Sequence, residues 1–203
     1  GGAFSFTVTG TDANSFTVSQ SYTLLITSDS TPPVITPNVV STLGNNGWYV
    51  SDVTVNFTCA DETGGSGLAS NTVAGATLTT NGANQSVTNT GDCIDNAANV
   101  ASAVTVSGLN LDKTPPTLNP TVSPNPVNVG GTATVTSGAT DSLSGLASQS
   151  CAALDTGSPG VKSLSCTATD NAGNSSSASV NYTVQGTLVG KCGDYTVYQV
   201  GSS

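Results

Sequence analysis

The sequence predicts an all-β protein. Val, Thr and Ser dominate while helix formers are scarce, 23 Gly and 9 Pro supply corners, and apolar residues alternate with polar ones at period two. Such alternation over 5–8 residues, bounded by Gly, Asn and Pro, is the pattern of half-buried strands joined by tight turns.

Taken in order, the chain opens on a hairpin. Residues 4–9 and 17–27 alternate on either side of an Asp12-Ala13-Asn14 turn. Phe4, Phe6 and Val8 then share one face. Asp29-Ser30-Thr31-Pro32-Pro33 follows; the double proline donates no ladder hydrogen bond and fixes two φ angles, which suits a stiff linker or the first residues of an edge strand. Trp48-Tyr49 precedes the alternating run Val53-Thr54-Val55-Asn56-Phe57-Thr58-Cys59, with Asp61-Glu62 and Ser66-Gly67-Leu68-Ala69-Ser70 behind it. Cys93-Ile94-Asp95-Asn96-Ala97-Ala98-Asn99 closes this stretch with another hairpin turn.

The same series then returns. Asp112-Lys113-Thr114-Pro115-Pro116 repeats the double-proline opening, 132–136 alternates again, Asp141 precedes Ser144-Gly145-Leu146-Ala147-Ser148, and Cys166 leads into Asp170-Asn171-Ala172-Gly173-Asn174. Aligning Asp12, Asp95 and Asp170 gives separations of 83 (95 − 12) and 75 (170 − 95), a period of about 80 residues. Boundaries therefore fall near Asp29, Asp112 and Gln185. Residues 29–111 and 112–185 are each expected to form a small two-sheet domain, 1–28 to be the last hairpin of another repeat, and 186–203 to add one strand at most.

Charge and cysteine usage narrow the function. With no arginine, three lysines and a net charge of −9, the chain has nothing to neutralise a row of phosphates, which argues against nucleic-acid binding and docking on anionic membranes. No apolar run is long enough to insert in a bilayer, and the sequence at Gly1 does not read as a signal peptide, so an exported chain is expected to be a mature product or a fragment. The absence of histidine rules out a Ser-His-Asp triad and removes the commonest zinc ligand, so no enzymatic activity is expected. Five cysteines without a CxxC pair point to disulfides and an extracellular or cell-surface location.

The DxTPP openings, the GNNGWYVSDVTVNFTC segment, the D…SGLAS turn and the TATDNAGN hairpin resemble the immunoglobulin-like repeats of large bacterial surface proteins, related to the hyalin-repeat type. The likeness covers residues 29–185 and extends to 1–28 as a remnant. It implies tandem immunoglobulin-like sandwiches in a rod-like array, acting as a structural, spacer or adhesive part of a larger secreted protein. Neighbouring domains or identical subunits are the partners it implies. Strand donation into an extracellular fibre is the alternative. A glycan-binding accessory region of a secreted hydrolase is a third reading, and Trp48 with a few tyrosines would have to supply its stacking surface.

The resemblance also implies residue roles. An immunoglobulin-like sandwich brings the strands of Cys59 and Cys93 face to face, which pairs them; Cys151 and Cys166 would then staple neighbouring strands, leaving Cys192 as a free or intermolecular thiol. In that fold the start of the first strand, the loop after the second and the turn of the last hairpin share one end. Asp29, Asp61, Glu62 and Asp95 in one repeat, and Asp112, Asp141 and Asp170 in the next, would thus converge. Carboxylates gathered this way suit calcium. The alternative is that each Asp accepts backbone N–H bonds in its own turn.

Overall fold

Strand-forming sequence and frequent turn residues give a wholly β structure. The computed structural model describes residues 1–192 and 195–199, of which 187–189, 191, 192 and 195–199 are described in their backbone alone; they contain strands and no helix.

The opening hairpin is β1 (Gly2–Thr11) and β2 (Thr17–Ile26), antiparallel from Gly2↔Ile26 to Thr11↔Thr17. Next come β3 (Val34–Val40), β4 (Trp48–Tyr49), β5 (Val53–Ala60), β6 (Leu68–Asn71), β7 (Ala76–Leu78), β8 (Gly82–Thr88), β9 (Cys93–Asp95) and β10 (Thr105–Leu111). They form sheets of order β3-β5-β7, β4-β10-β8 and β6-β9. The remaining strands are β11 (Thr121–Ser123), β12 (Val127–Asn128), β13 (Thr134–Thr136), β14 (Leu146–Cys151), β15 (Gly160–Asp170), β16 (Ser175–Gln185), β17 (Thr187–Cys192) and β18 (Tyr195–Gln199). Their sheets are β11-β13, β12-β16-β15-β14 and β17-β18.

Contacts gather the chain into two compact units. One contains residues 1–38, 56–75 and 88–105; the other contains 39–55, 76–87 and 106–203. Strands β3, β5, β8 and β10 run through the division.

Period-two alternation decides what each strand buries. In β5, Val53, Val55, Phe57 and Cys59 are buried, whereas Asn56 and Thr58 are exposed. In the second unit, Val122 of β11, Val127 of β12, Leu164 and Cys166 of β15 and Tyr182 and Val184 of β16 form one cluster, with Val135 of β13 packed against it. Sheet β11-β13 therefore faces the four-stranded sheet across an apolar core. The Tyr182 hydroxyl crosses to the Asp155 backbone, accepting its N–H and donating to its carbonyl, both at 3.0 Å. A buried phenol is satisfied there without a charged partner.

Both expected cystine pairs are present. Cys59–Cys93 links β5 to β9, strands of different sheets, with Cα atoms 5.8 Å apart. Cys151–Cys166 links the adjacent strands β14 and β15, where the two residues are register partners. Trp48 is half-buried in β4, beside Asn110 of β10. Strands β17 and β18 pair antiparallel, from Thr187↔Gln199 to Cys192↔Tyr195, where the sequence suggested one strand at most. The Cys192 thiol lies outside the described residues.

Candidate functional site

The double-proline opening, the SGL turn and the last hairpin turn each contribute an acid, and their hydrogen bonds repeat with the sequence. In the first unit, Asp29 Oδ1 accepts the Thr31 N–H at 2.9 Å and its Oδ2 accepts the Ser66 N–H at 2.8 Å. In the second unit, Asp112 Oδ1 accepts the Thr114 N–H at 3.0 Å and its Oδ2 the Ser144 N–H at 3.2 Å. Asp61 Oδ2 accepts the Gly67 N–H at 2.6 Å, as Asp141 Oδ1 accepts that of Gly145 at 2.7 Å. Gly67 and Gly145 share φ of +78°, a left-handed conformation that glycine adopts without steric cost.

The hairpin turns match as closely. Asp95 accepts the Asn99 N–H at 2.7 Å and the Asn99 side-chain amide at 2.6 Å. Asp170 accepts the equivalent pair from Asn174 at 2.8 and 2.9 Å, and also the Gly173 N–H at 2.7 Å. Asn96 and Asn171 each donate a side-chain amide to the carbonyl of the preceding serine turn, Ser66 and Ser144, at 2.8 Å. Asp12 keeps the local part of this pattern, accepting the N–H groups of Asn14 and Phe16 at 2.8 and 2.9 Å.

The network gathers two groups of carboxylates. Asp29, Asp61 and Glu62 bring oxygens within 4.8 Å of one another, and so do Asp112, Asp141 and Asp170. Asp95 does not join the first group at that distance, although it is buried and occupies the position equivalent to Asp170. Glu62 takes the third place instead. Its exposed carboxyl is drawn down by its own backbone N–H but raised overall by the adjoining Asp61 carboxyl, desolvation and the charges of Asp29 and Asp61. Asp29 is held below the ordinary carboxylate range by the Thr31 and Ser66 N–H groups.

Several features fit a hard cation. Only oxygen donors are present, matching Ca²⁺ and mismatching soft transition metals. Asp61 Oδ1 is fully enclosed and has no hydrogen-bond partner. Gly65 lies so close that a Cβ there would stand 2.8 Å from Asp61 Oδ2 and from Glu62 Cδ. A polar cavity of about 340 Å³ opens beside this group, lined in part by Asp29, Thr31, Glu62 and Ser66. Two lysines are engaged elsewhere: Lys113 binds Asp52 at 2.5 Å and Lys162 binds Asp155 at 2.6 Å.

No family model and no curated protein matches the chain.

The partners Asn99, Asn174, Ser66 and Ser144 were not singled out by sequence reasoning. The asparagines carried a signal, each standing four residues after its aspartate in both copies, whereas Ser66 follows Asp61 by five residues and Ser144 follows Asp141 by three. The larger cavity, about 770 Å³ and lined by residues of 133–139 and 149–154, contains no titratable side chain, with its one cysteine in a disulfide.

Proposed function

We propose that the chain is a non-enzymatic spacer or adhesive part of a large secreted or cell-surface protein, built from tandem immunoglobulin-like domains over 29–111 and 112–185. The observation that carries this reading is that one aspartate–asparagine network is built twice, with most of its hydrogen bonds shared, about 80 residues apart. Duplication of a loop framework is what a modular array requires, and a solitary reactive centre does not produce it. Two disulfides add the stability that small extracellular domains need.

Small-angle scattering at low concentration tests the array. A single compact body of this length has a radius of gyration near 17 Å, from the usual scaling of about 2.2·N^0.38 Å. A tandem array is expected well above that value, and a result at about 17 Å would sink the reading.

Calcium is the ligand proposed for the two clusters, held by Asp29, Asp61 and Glu62 in one and by Asp112, Asp141 and Asp170 in the other. A bound ion offsets the repulsion of three gathered carboxylates and fixes three loops to one point. Extracellular calcium modules bind with Kd of about 10⁻⁴–10⁻³ M, so millimolar calcium is expected to stabilise the fold by about 1–2 kcal/mol relative to chelator. Thermal melts read the difference. Asp141→Asn leaves an amide oxygen for the Gly145 N–H and removes the charge, so it should reduce the calcium response more than the stability in chelator. A melting temperature indifferent to calcium would leave these acids as turn residues alone.

A further inference from the structure

Cross-strand register sorts the β1–β2 hairpin into two unlike faces. Ser5–Thr23, Thr7–Ser21 and Thr9–Ser19 form a ladder of hydroxyl pairs at 3.3, 3.1 and 2.8 Å on one side. The opposite side carries Phe4 beside Leu24, Phe6 beside Tyr22, Val8 beside Gln20, and Val18 and Ile26 towards the two ends. The rings of Phe6 and Tyr22 stack with centroids 5.6 Å apart. These seven apolar side chains are 48–76% exposed. The later hairpin β15–β16 shows what such a face ordinarily meets: its Leu164, Cys166, Tyr182 and Val184 are at most 4% exposed, covered in part by β11.

Area and charge identify an occupant. Taking roughly half of the ~150–250 Å² of an aromatic side chain for each of the seven, an upper figure for the aliphatic ones, gives up to about 700 Å² per copy. Two copies face to face would bury up to about 1,400 Å², which reaches the ~1,200–2,000 Å² of stable protein interfaces. The chain has a net charge of −9, which opposes self-association, but residues 1–28 hold only one charged side chain, Asp12, and it lies in the turn. The apolar face is thus the part of the surface where two copies meet with least repulsion.

We propose that two copies of this chain associate by packing the Phe4-Phe6-Val8 and Val18-Tyr22-Leu24 faces of their β1–β2 hairpins together. The pair is isologous, each hairpin supplying one layer of a two-sheet packing with the layers ~10 Å apart. The hydroxyl ladders remain in water. This goes beyond the spacer reading and does not rest on it.

Sedimentation velocity between about 1 and 100 µM tests it, the range in which Kd values of ~10⁻⁶–10⁻⁴ M register. A Cys192→Ser background removes an intermolecular disulfide as the cause of any dimer. Val8→Lys and Thr7→Lys in that background add the same charge at adjacent positions of one strand, on opposite faces. The parent chain and Thr7→Lys are expected at about 40 kDa, twice the 19.9 kDa chain. Val8→Lys is expected at the monomer mass throughout. Three outcomes would overturn the proposal: a monomeric parent, which means another segment or partner covers the face; a dimeric Val8→Lys; or a Thr7→Lys that dissociates as fully as Val8→Lys.

Discussion

Replacing Cys59 and Cys93 together by alanine is expected to lower the unfolding free energy by about 2–5 kcal/mol. The bridge joins strands of different sheets and spans 34 residues, so its loss frees a long loop in the unfolded chain. The loop-entropy relation gives about 3.8 kcal/mol for a loop of this size and about 3.0 kcal/mol for one of 15 residues, the separation of Cys151 and Cys166. Both Cys59 and Cys93 are buried, so the alanines also leave unfilled volume. The order of effects should therefore be Cys59/Cys93 before Cys151/Cys166. Guanidinium unfolding of the full chain under non-oxidising, non-reducing conditions reads both losses. A Cys59/Cys93 loss below about 1 kcal/mol, or the reverse order, would show that the cross-sheet bridge is not the main constraint.

Asp170→Ala is expected to cost about 3–5 kcal/mol, because one fully buried carboxylate satisfies three donors at 2.7–2.9 Å and each stranded donor costs about 1–3 kcal/mol. Removing it unties the Asp170–Asn174 turn, which also loses its anchor to the double-proline segment, where the Asn174 amide donates to the Asp112 carbonyl at 3.0 Å. Asp170→Asn restores an acceptor for the backbone N–H groups but turns an amide donor towards Asn174, and is expected to recover about half of the loss. Chemical denaturation in chelator measures these costs free of any cation effect. An Asp170→Ala variant as stable as the parent would show that the turn is held by its neighbours rather than by this carboxylate.

Much of the architecture was legible because it is written in local pattern. Alternation placed β5 and assigned Val53, Val55, Phe57 and Cys59 to its buried side. The DNAGN turn announced the β15–β16 hairpin, since Asp accepts N–H groups from residues three and four positions on. The pairing of β17 with β18 is not legible in the sequence, because 187–192 is short, contains Gly190 and has no turn signature as marked as Asp-Asn-Ala-Gly.

The candidate clusters divide differently. The repeated aspartates were visible at a spacing of about 80 residues, but which of them share a point in space depends on loop paths that no periodicity encodes. Asp95 and Asp170 hold equivalent turn positions, yet the first cluster includes Glu62 in place of Asp95.

The sequence by itself determined the all-β class, the double-proline openings, the repeated turn chemistry and the absence of histidine chemistry, because these follow from residue type and short-range spacing. Only the tertiary structure decided that Asp61 Oδ1 is left without a partner, that Lys113 and Lys162 are engaged by Asp52 and Asp155, and that an apolar face of the first hairpin stands in solvent. Each of those depends on contacts between residues distant in sequence, or on their lack, and such contacts are fixed by how sheets and loops pack rather than by the order of residues along a strand.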